Sequence, residues 1–296
     1  MIPAQRLQKV ETRILSRSRE NLFSVQEDPV TFARSIGFNP DPWQEGILLG
    51  RGKRVLLNCC RQSGKSSTTA IVALHTALAG PESLILLVSP SLRQSSELFG
   101  KVIAFLNRLA ARPRMVEENR LSIRFMNGSR IVSLPGKEGT IRGFSGAALI
   151  VEDEAARVPD ALYRAVRPML AVSSGSLMLL STPFGKRGHF FEEWTHGGTA
   201  WERVQVAATQ CPRIPGEFLE EEKKALGPWW YGQEYECQFS DTESSVFSYD
   251  LIQSAISPDV AALEISKENA FNVEKIHQHD TTEFIRPNSR NGYRFA

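Results

Sequence analysis

The strongest constraint on this chain is an alternation of short apolar runs with helical patterns between residues 54 and 183. Arg54–Cys59 reads as a buried strand, followed by a polar loop and a helix from about Ser67 to Ala79. Ser83–Pro90 is a second strand, with a helix over Leu92–Ala111 behind it. Ala148–Ala155 is a third, followed by a helix over Pro159–Leu170, and Ser176–Pro183 is a fourth. Continuous apolar runs of this length suit strands covered on both faces. Their repetition with helices implies an α/β fold with a mostly parallel sheet between two helical layers. One antiparallel hairpin is expected within 120–135, where two alternating stretches are joined by Asn127-Gly128.

In such sheets ligands gather at the carboxyl ends of the strands, and three polar motifs fall there. The first strand runs into "CCRQSGKSS". A phosphate-binding loop wants Gly, four free positions, then Gly-Lys-Ser/Thr. Gly64, Lys65 and Ser66 supply the end of that pattern, and Cys59 stands where the first glycine belongs. A strand turning through Arg61, Gln62, Ser63 and Gly64 into a helix at Ser66 and Ser67 aims backbone N–H groups at a phosphate. Lys65 reaches the β- and γ-phosphates of ATP, and the Ser66 hydroxyl holds Mg²⁺.

The third strand ends in "LIVEDEA". Asp153 is the candidate for the Mg²⁺ shell, and Glu154 for the base that orients and deprotonates water. Glu152 is a further candidate base, but strand alternation turns it away from Asp153. The fourth strand ends in Ser181 and Thr182, beside the phosphate-loop strand, where a hydroxyl can sense the γ-phosphate. Upstream, Gln44 in "PDPWQEGIL" can hydrogen-bond an adenine edge, while Trp43 suits the core.

The chain's 296 residues allow one large or two modest domains. A net charge of +2 gives no strong nucleic-acid signature, so any DNA contact must come from local patches. Four scattered cysteines exclude a disulfide framework or a zinc site and suggest a reduced, intracellular protein. No apolar run reaches the ~18–20 residues that span a bilayer, so no membrane contact is expected. Residues 1–34 form an N-terminal segment, with a basic amphipathic helix over about 5–20 that packs on the body or meets a partner or DNA. Residues 35–247 form the nucleotide domain, and 248–296 become polar and irregular.

Taken together, the motifs resemble those of the large subunit of tailed-phage and prophage terminases, the motors that package DNA into a capsid. The matching pieces are "PWQ", "CRQSGKSS", "SPSLRQS", "TIRGFSGAALIVEDEA", "LLSTPFGKRGHFFEEW" and "WYGQEYECQFSDTESSVF", in family order. The resemblance implies a P-loop NTPase of the helicase-like ASCE class that hydrolyses ATP to move double-stranded DNA. It makes the loop a working Walker A despite Cys59, with Arg61 contacting the γ-phosphate in cis. Arg142 matches the position that acts in trans on a neighbour's ATP, and Thr182 belongs to the motif coupling hydrolysis to DNA movement. The implied partners are the portal protein, the terminase small subunit and further copies in a ring on the portal, in the bacterial host cytoplasm. The family generally continues into a nuclease with clustered metal-binding aspartates. Here the acids after Phe247 are scattered, so 248–296 is a tail or a truncated nuclease start, and endonuclease activity is expected to be absent. Two other readings are a helicase-like or repair ATPase, for which a second motor domain lacks room, and a non-catalytic remnant.

Overall fold

The computed structural model describes residues 28–50, 52–135, 143–241 and 247–256. The expected N-terminal helix over 5–20 and Arg142 lie outside the described residues. The chain divides into two units, 1–245 and 246–296. The first is built on one sheet in the order β3-β4-β5-β2-β6-β7-β1-β8. Its strands are β1 (Arg54–Cys59), β2 (Leu84–Ser89), β3 (Met115–Glu118), β4 (Ser122–Phe125), β5 (Arg130–Pro135), β6 (Ala147–Asp153), β7 (Ser176–Ser181) and β8 (Glu202–Val206). From β5 to β8 every pairing is parallel, and only β4 runs against its neighbours β3 and β5. The Asn127-Gly128 hairpin joins β4 to β5 as the sequence predicts, with Gly128 at a φ of 85°.

Alternation along the central strands sorts their side chains into two cores. Leu57 and Cys59 of β1, Ile85 and Leu87 of β2, Leu149 and Val151 of β6, and Met178 and Leu180 of β7 face one layer. That layer holds α1 (Pro29–Ser35), α2 (Pro42–Leu49), α3 (Lys65–Ala79) and α4 (Leu92–Leu106). Leu56, Leu86, Ile150, Leu177 and Leu179 face the other, formed by α5 (Asp160–Val166), the 3₁₀ turn Arg167–Leu170 and α6 (Gly188–His196). This is the two-faced burial that the unbroken apolar runs imply.

Element bounds differ from the sequence reading where local chemistry intervenes. α4 stops at Leu106, short of Ala111, and the chain turns before Pro113, which disfavours helical backbone at Arg112. The helix expected over 159–170 is α-helical only to Val166 and tightens to 3₁₀ over Arg167–Leu170. Pro168 has no N–H to continue the α-helical ladder. α7 (Gly216–Glu234) is interrupted at Gly227, φ 72°, just before Pro228. The second unit is not wholly irregular: Tyr249–Ala255 forms α8, whose first turn is capped by the Ser248 side chain accepting from the Leu251 N–H.

All four cysteines are buried, as free thiols. Cys60 Sγ lies 3.8 Å from Cys211 Sγ, a hydrogen-bonding distance for sulfur but too far for a disulfide, and Cys237 Sγ donates to the Val206 carbonyl at 3.2 Å. Among the described residues, no helix is long and apolar enough to cross a membrane.

Two glycines test the packing. A Cβ at Gly175, where the chain enters β7, would lie 2.1 Å from the Ala147 carbonyl oxygen and 2.9 Å from that of Ala148. Backbone cannot step aside as a flexible side chain can, so Gly175→Ala should cost about 1–3 kcal/mol in a denaturant titration. Gly46 is exposed within α2, and a Cβ there meets nothing within 4 Å. Gly46→Ala should instead add about 0.5–1 kcal/mol through helix propensity.

Candidate nucleotide site

The loop between β1 and α3 explains why cysteine is accepted at position 59. Cys59 is the last residue of β1, paired with Val206 of β8 and fully buried in the core. The left-handed backbone of the loop falls later, at Gln62 (φ 61°) and Gly64 (φ 92°). Gly64 combines that backbone with a close neighbour, since a Cβ there would meet Gln44 Nε2 at 2.8 Å.

The loop is braced from outside. Arg213 donates to the Ser63 carbonyl at 3.0 Å while gripping Asp41 through both ends of its guanidinium, each at 2.8 Å. Gln44 Nε2 approaches the same Ser63 carbonyl at 3.5 Å, and its Oε1 accepts the Asp41 N–H at 2.8 Å. Gln44 is 1% exposed, so in this structure its amide serves the α2 capping box and the loop instead of an open adenine edge. The Cys60 N–H goes to Val206 and the Arg61 N–H to Glu234, at 2.9 and 3.2 Å. With the outer groups tied down, the loop and the first turn of the fifteen-residue α3 present an anion-binding end. Lys65 Nζ lies across this turn, 3.4 Å from the Cys60 carbonyl oxygen.

β7 sits between β1 and β6, which brings the second motif opposite the first. Asp153 continues the row of Leu149 and Val151 and so faces the α3 side, where Ser66 Oγ donates to its Oδ2 at 3.3 Å. Burial, then the charge of Glu154, push the Asp153 pKa up to about 6 against the pull of Lys65 and Lys101. A hydroxyl and a strained carboxylate side by side are hard oxygen donors that fit Mg²⁺, whose charge would relieve the strain. Glu154 follows in left-handed backbone, φ 54° and ψ 41°, which turns its carboxylate out of the strand direction. Its Oε2 accepts from Arg157 Nη1 at 3.2 Å.

Arg61, Gln62, Ser63, Gly64, Lys65, Ser66, Ser67 and Glu154 line one open cleft of about 460 Å³, together with Gln94, Lys101 and Arg157. Those last three were not singled out from the sequence. Arg61 lines the cleft, but its Nε is held by Glu234 Oε2 at 2.7 Å, at the end of α7. Thr182 is 2% exposed and lies outside the cleft wall; the neighbouring Ser181 hydroxyl donates to its carbonyl at 2.7 Å. Glu152 points to the opposite face, fully buried, with Oε1 2.6 Å from His189 Nε2. It therefore has no path to the cleft. The other nitrogen of His189 meets Asp160 at 3.1 Å, and the ring stacks on Tyr163 at 4.3 Å.

A phosphate loop and a carboxylate-tipped strand separated by one intervening parallel strand define a P-loop nucleotide fold of the ASCE class. The chain belongs to the terminase large-subunit family: residues 56–254 match the family described as terminase large subunit, T4likevirus-type, N-terminal. It is 27% identical over 252 residues to the terminase large subunit of Thermus virus P23-45, across 73% of this chain and 52% of that one. It thus spans about half the length of the curated relatives it matches. The fold is similar to the large terminase ATPase domain of Thermus phage P74-26, with a TM-score of 0.63 at 24% identity, over 71% of this chain and 97% of that one. A large terminase of a thermophilic bacteriophage, solved in complex with ATP-gamma-S, gives a TM-score of 0.52 at 13% identity, over 64% of this chain and 48% of that one.

The buried His189–Glu152 pair makes stability pH-dependent. Burial lowers the His189 pKa, but the hydrogen bond and charge of Glu152, then those of Asp160, outweigh it and hold the pKa above the ordinary value. A raised folded pKa stabilises the fold fully below the unfolded value of about 6.5, and that contribution is lost as pH rises through the folded value. The Tm should therefore fall on going from pH 6 to alkaline pH, and His189→Gln should flatten that part of the profile. An unchanged slope in the variant would assign the titration elsewhere.

Proposed function

We propose that this chain is the ATP-hydrolysing part of a large terminase subunit, which turns over ATP to drive double-stranded DNA into a procapsid. The observation that carries the reading is Ser66 Oγ, 3.3 Å from Asp153 Oδ2, which sets the phosphate loop against the carboxylate pair. In the proposed reaction the loop N–H groups and Lys65 bind the β- and γ-phosphates, and Gly64 allows the close approach. Ser66 and Asp153 hold Mg²⁺, which supplies charge stabilisation at the phosphates. Glu154 orients the attacking water and takes its proton. Arg61 reaches the γ-phosphate once it leaves Glu234, and Arg142 is assigned to a neighbour's site. The partners follow the family: duplex DNA, the portal protein, the small subunit and further copies in a ring. A related large terminase solved with ATP-gamma-S supports the choice of nucleotide.

The test is ATP hydrolysis measured with and without duplex DNA. Lys65→Ala should abolish turnover by removing the loop cation aimed at the phosphates. Glu154→Gln should keep nucleotide affinity and lose about 10²–10⁴-fold in kcat, because an amide takes no proton from water. Wild-type turnover retained in Glu154→Gln would move the base elsewhere. Mixing Arg142→Ala with Glu154→Gln should restore part of the activity if Arg142 acts in trans. No recovery where wild-type subunits demonstrably assemble would leave the charge to Arg61.

A further inference from the structure

Arg157 is the residue in the cleft with the most unusual surroundings. It closes the 3₁₀ turn Ala155–Arg157 that follows Glu154 directly. Its Nη1 donates to Glu154 Oε2 at 3.2 Å, and its Nη2 lies 3.9 Å from Glu234 Oε1. The guanidinium carbon stands 4.4 Å above the centre of the Phe184 ring. Phe184 belongs to the loop that leaves β7, just after Thr182, and a second guanidinium, that of Arg187, lies 5.2 Å from the same ring. The carboxylate of Glu154 and the loop after β7 thus meet on two sides of one planar group.

We propose that Arg157 is a positioning residue for Glu154, seated on Phe184, so that the loop after β7 sets the aim of the base. The inference rests on the ATPase reading above. A base acts only when its carboxylate is directed at the water it deprotonates. Glu154 leaves the strand in left-handed backbone, which its own φ and ψ preferences do not favour. Two hydrogen bonds fix that turn: the Glu154 N–H to the Asp153 side-chain Oδ1 at 3.1 Å and the Arg157 N–H to the Glu154 carbonyl at 2.8 Å. Arg157 is the cation bonded to the carboxylate itself. Its planar fork can face Glu154 and Glu234 along its edge while lying flat on an aromatic ring, a combination a lysine ammonium cannot reproduce. Moving Phe184 shifts the plane, and with it the bond to Glu154.

The experiment measures kcat, KM and ATP-gamma-S affinity for Arg157→Ala, Arg157→Lys, Phe184→Leu and Phe184→Tyr, with thermal unfolding as the folding control. Arg157→Ala should lower kcat by about 10- to 100-fold, less than the roughly 10²–10⁴-fold ascribed to general-base catalysis because the base is misaimed and not removed, while ATP-gamma-S affinity stays within about twofold of wild type. Arg157→Lys should recover little of that loss. Phe184→Leu should cost about tenfold in kcat, and Phe184→Tyr, which keeps the ring, should recover most of it. The deciding value is the double variant: Phe184→Leu should cost nothing further once Arg157 is alanine, because the two act as one unit. Should Arg157→Ala unfold, Arg157→Gln, which keeps most of the volume, reads the same loss. Full recovery in Arg157→Lys, or weakened ATP-gamma-S binding at unchanged kcat, would make Arg157 a phosphate contact and overturn the proposal. So would additive losses in the double variant or unchanged activity in Arg157→Ala. An active wild type with an equally active Arg157→Ala sinks this inference alone, whereas a wild type that hydrolyses nothing, with or without DNA, sinks the ATPase reading and this inference with it.

Discussion

The site depends on β7 lying parallel between β1 and β6. Leu57 of β1, Leu180 of β7 and Asp153 of β6 stand in one row across the sheet and face the same helical layer. Neighbouring strands are about 4.8 Å apart, so β1 and β6 are separated by about 9.5 Å. The loop and the first turn of α3 must span that gap for Ser66 to meet Asp153. Slipping β6 by one residue would exchange the faces of its side chains, sending Glu152 to the cleft and Asp153 to His189. The apolar residues preceding each motif hold the register, so the chemistry is secured by the core.

Charges of both signs crowd this end of the sheet. Asp153 and Glu154 adjoin each other, and Glu234 comes in from α7; among them stand Lys65, Arg61, Arg157 and Lys101. Glu234 is 11% exposed at its side chain and takes one oxygen to Arg61 at 2.7 Å, with the other 3.9 Å from Arg157. The phosphate loop, the turn after β6 and the end of α7 are thereby tied through a single carboxylate. A buried carboxylate left without its arginines is costly, so a change at one of these three elements is felt at the other two.

Much of this was legible in the sequence because the central strands are apolar throughout and each ends in a recognisable polar motif. β8, Glu202–Val206, escaped because only Val206 is buried, and β3 because it is a short, largely exposed edge strand. The bracing role of Gln44 could have been read: Asp41 followed three residues later by Gln44, with Pro42 between, is a helix-start pattern. Arg157 carried a weaker signal, three residues after Glu154 on a turn where such spacing allows an ion pair. Nothing local marks Phe184 or Glu234 as its neighbours, since the fold brings them together from 27 and 77 residues away along the numbering. The first-glycine position of the general pattern falls at Cys59, the last residue of β1, so the loop here opens one residue later than the pattern has it.

The four cysteines give the experimenter a tool. Burial pushes the Cys237 thiol up to about 12 and Cys59 higher still. Cys211, whose hydrogen bond from Cys60 favours the thiolate, is 2% exposed. Maleimides attack accessible thiolates, so the folded protein presents them with no ready native target. A fluorophore could be placed on a single added surface cysteine without first replacing the natural ones. Conversely, the slow labelling of the native four would serve as a clock for how often the nucleotide end of the sheet comes open.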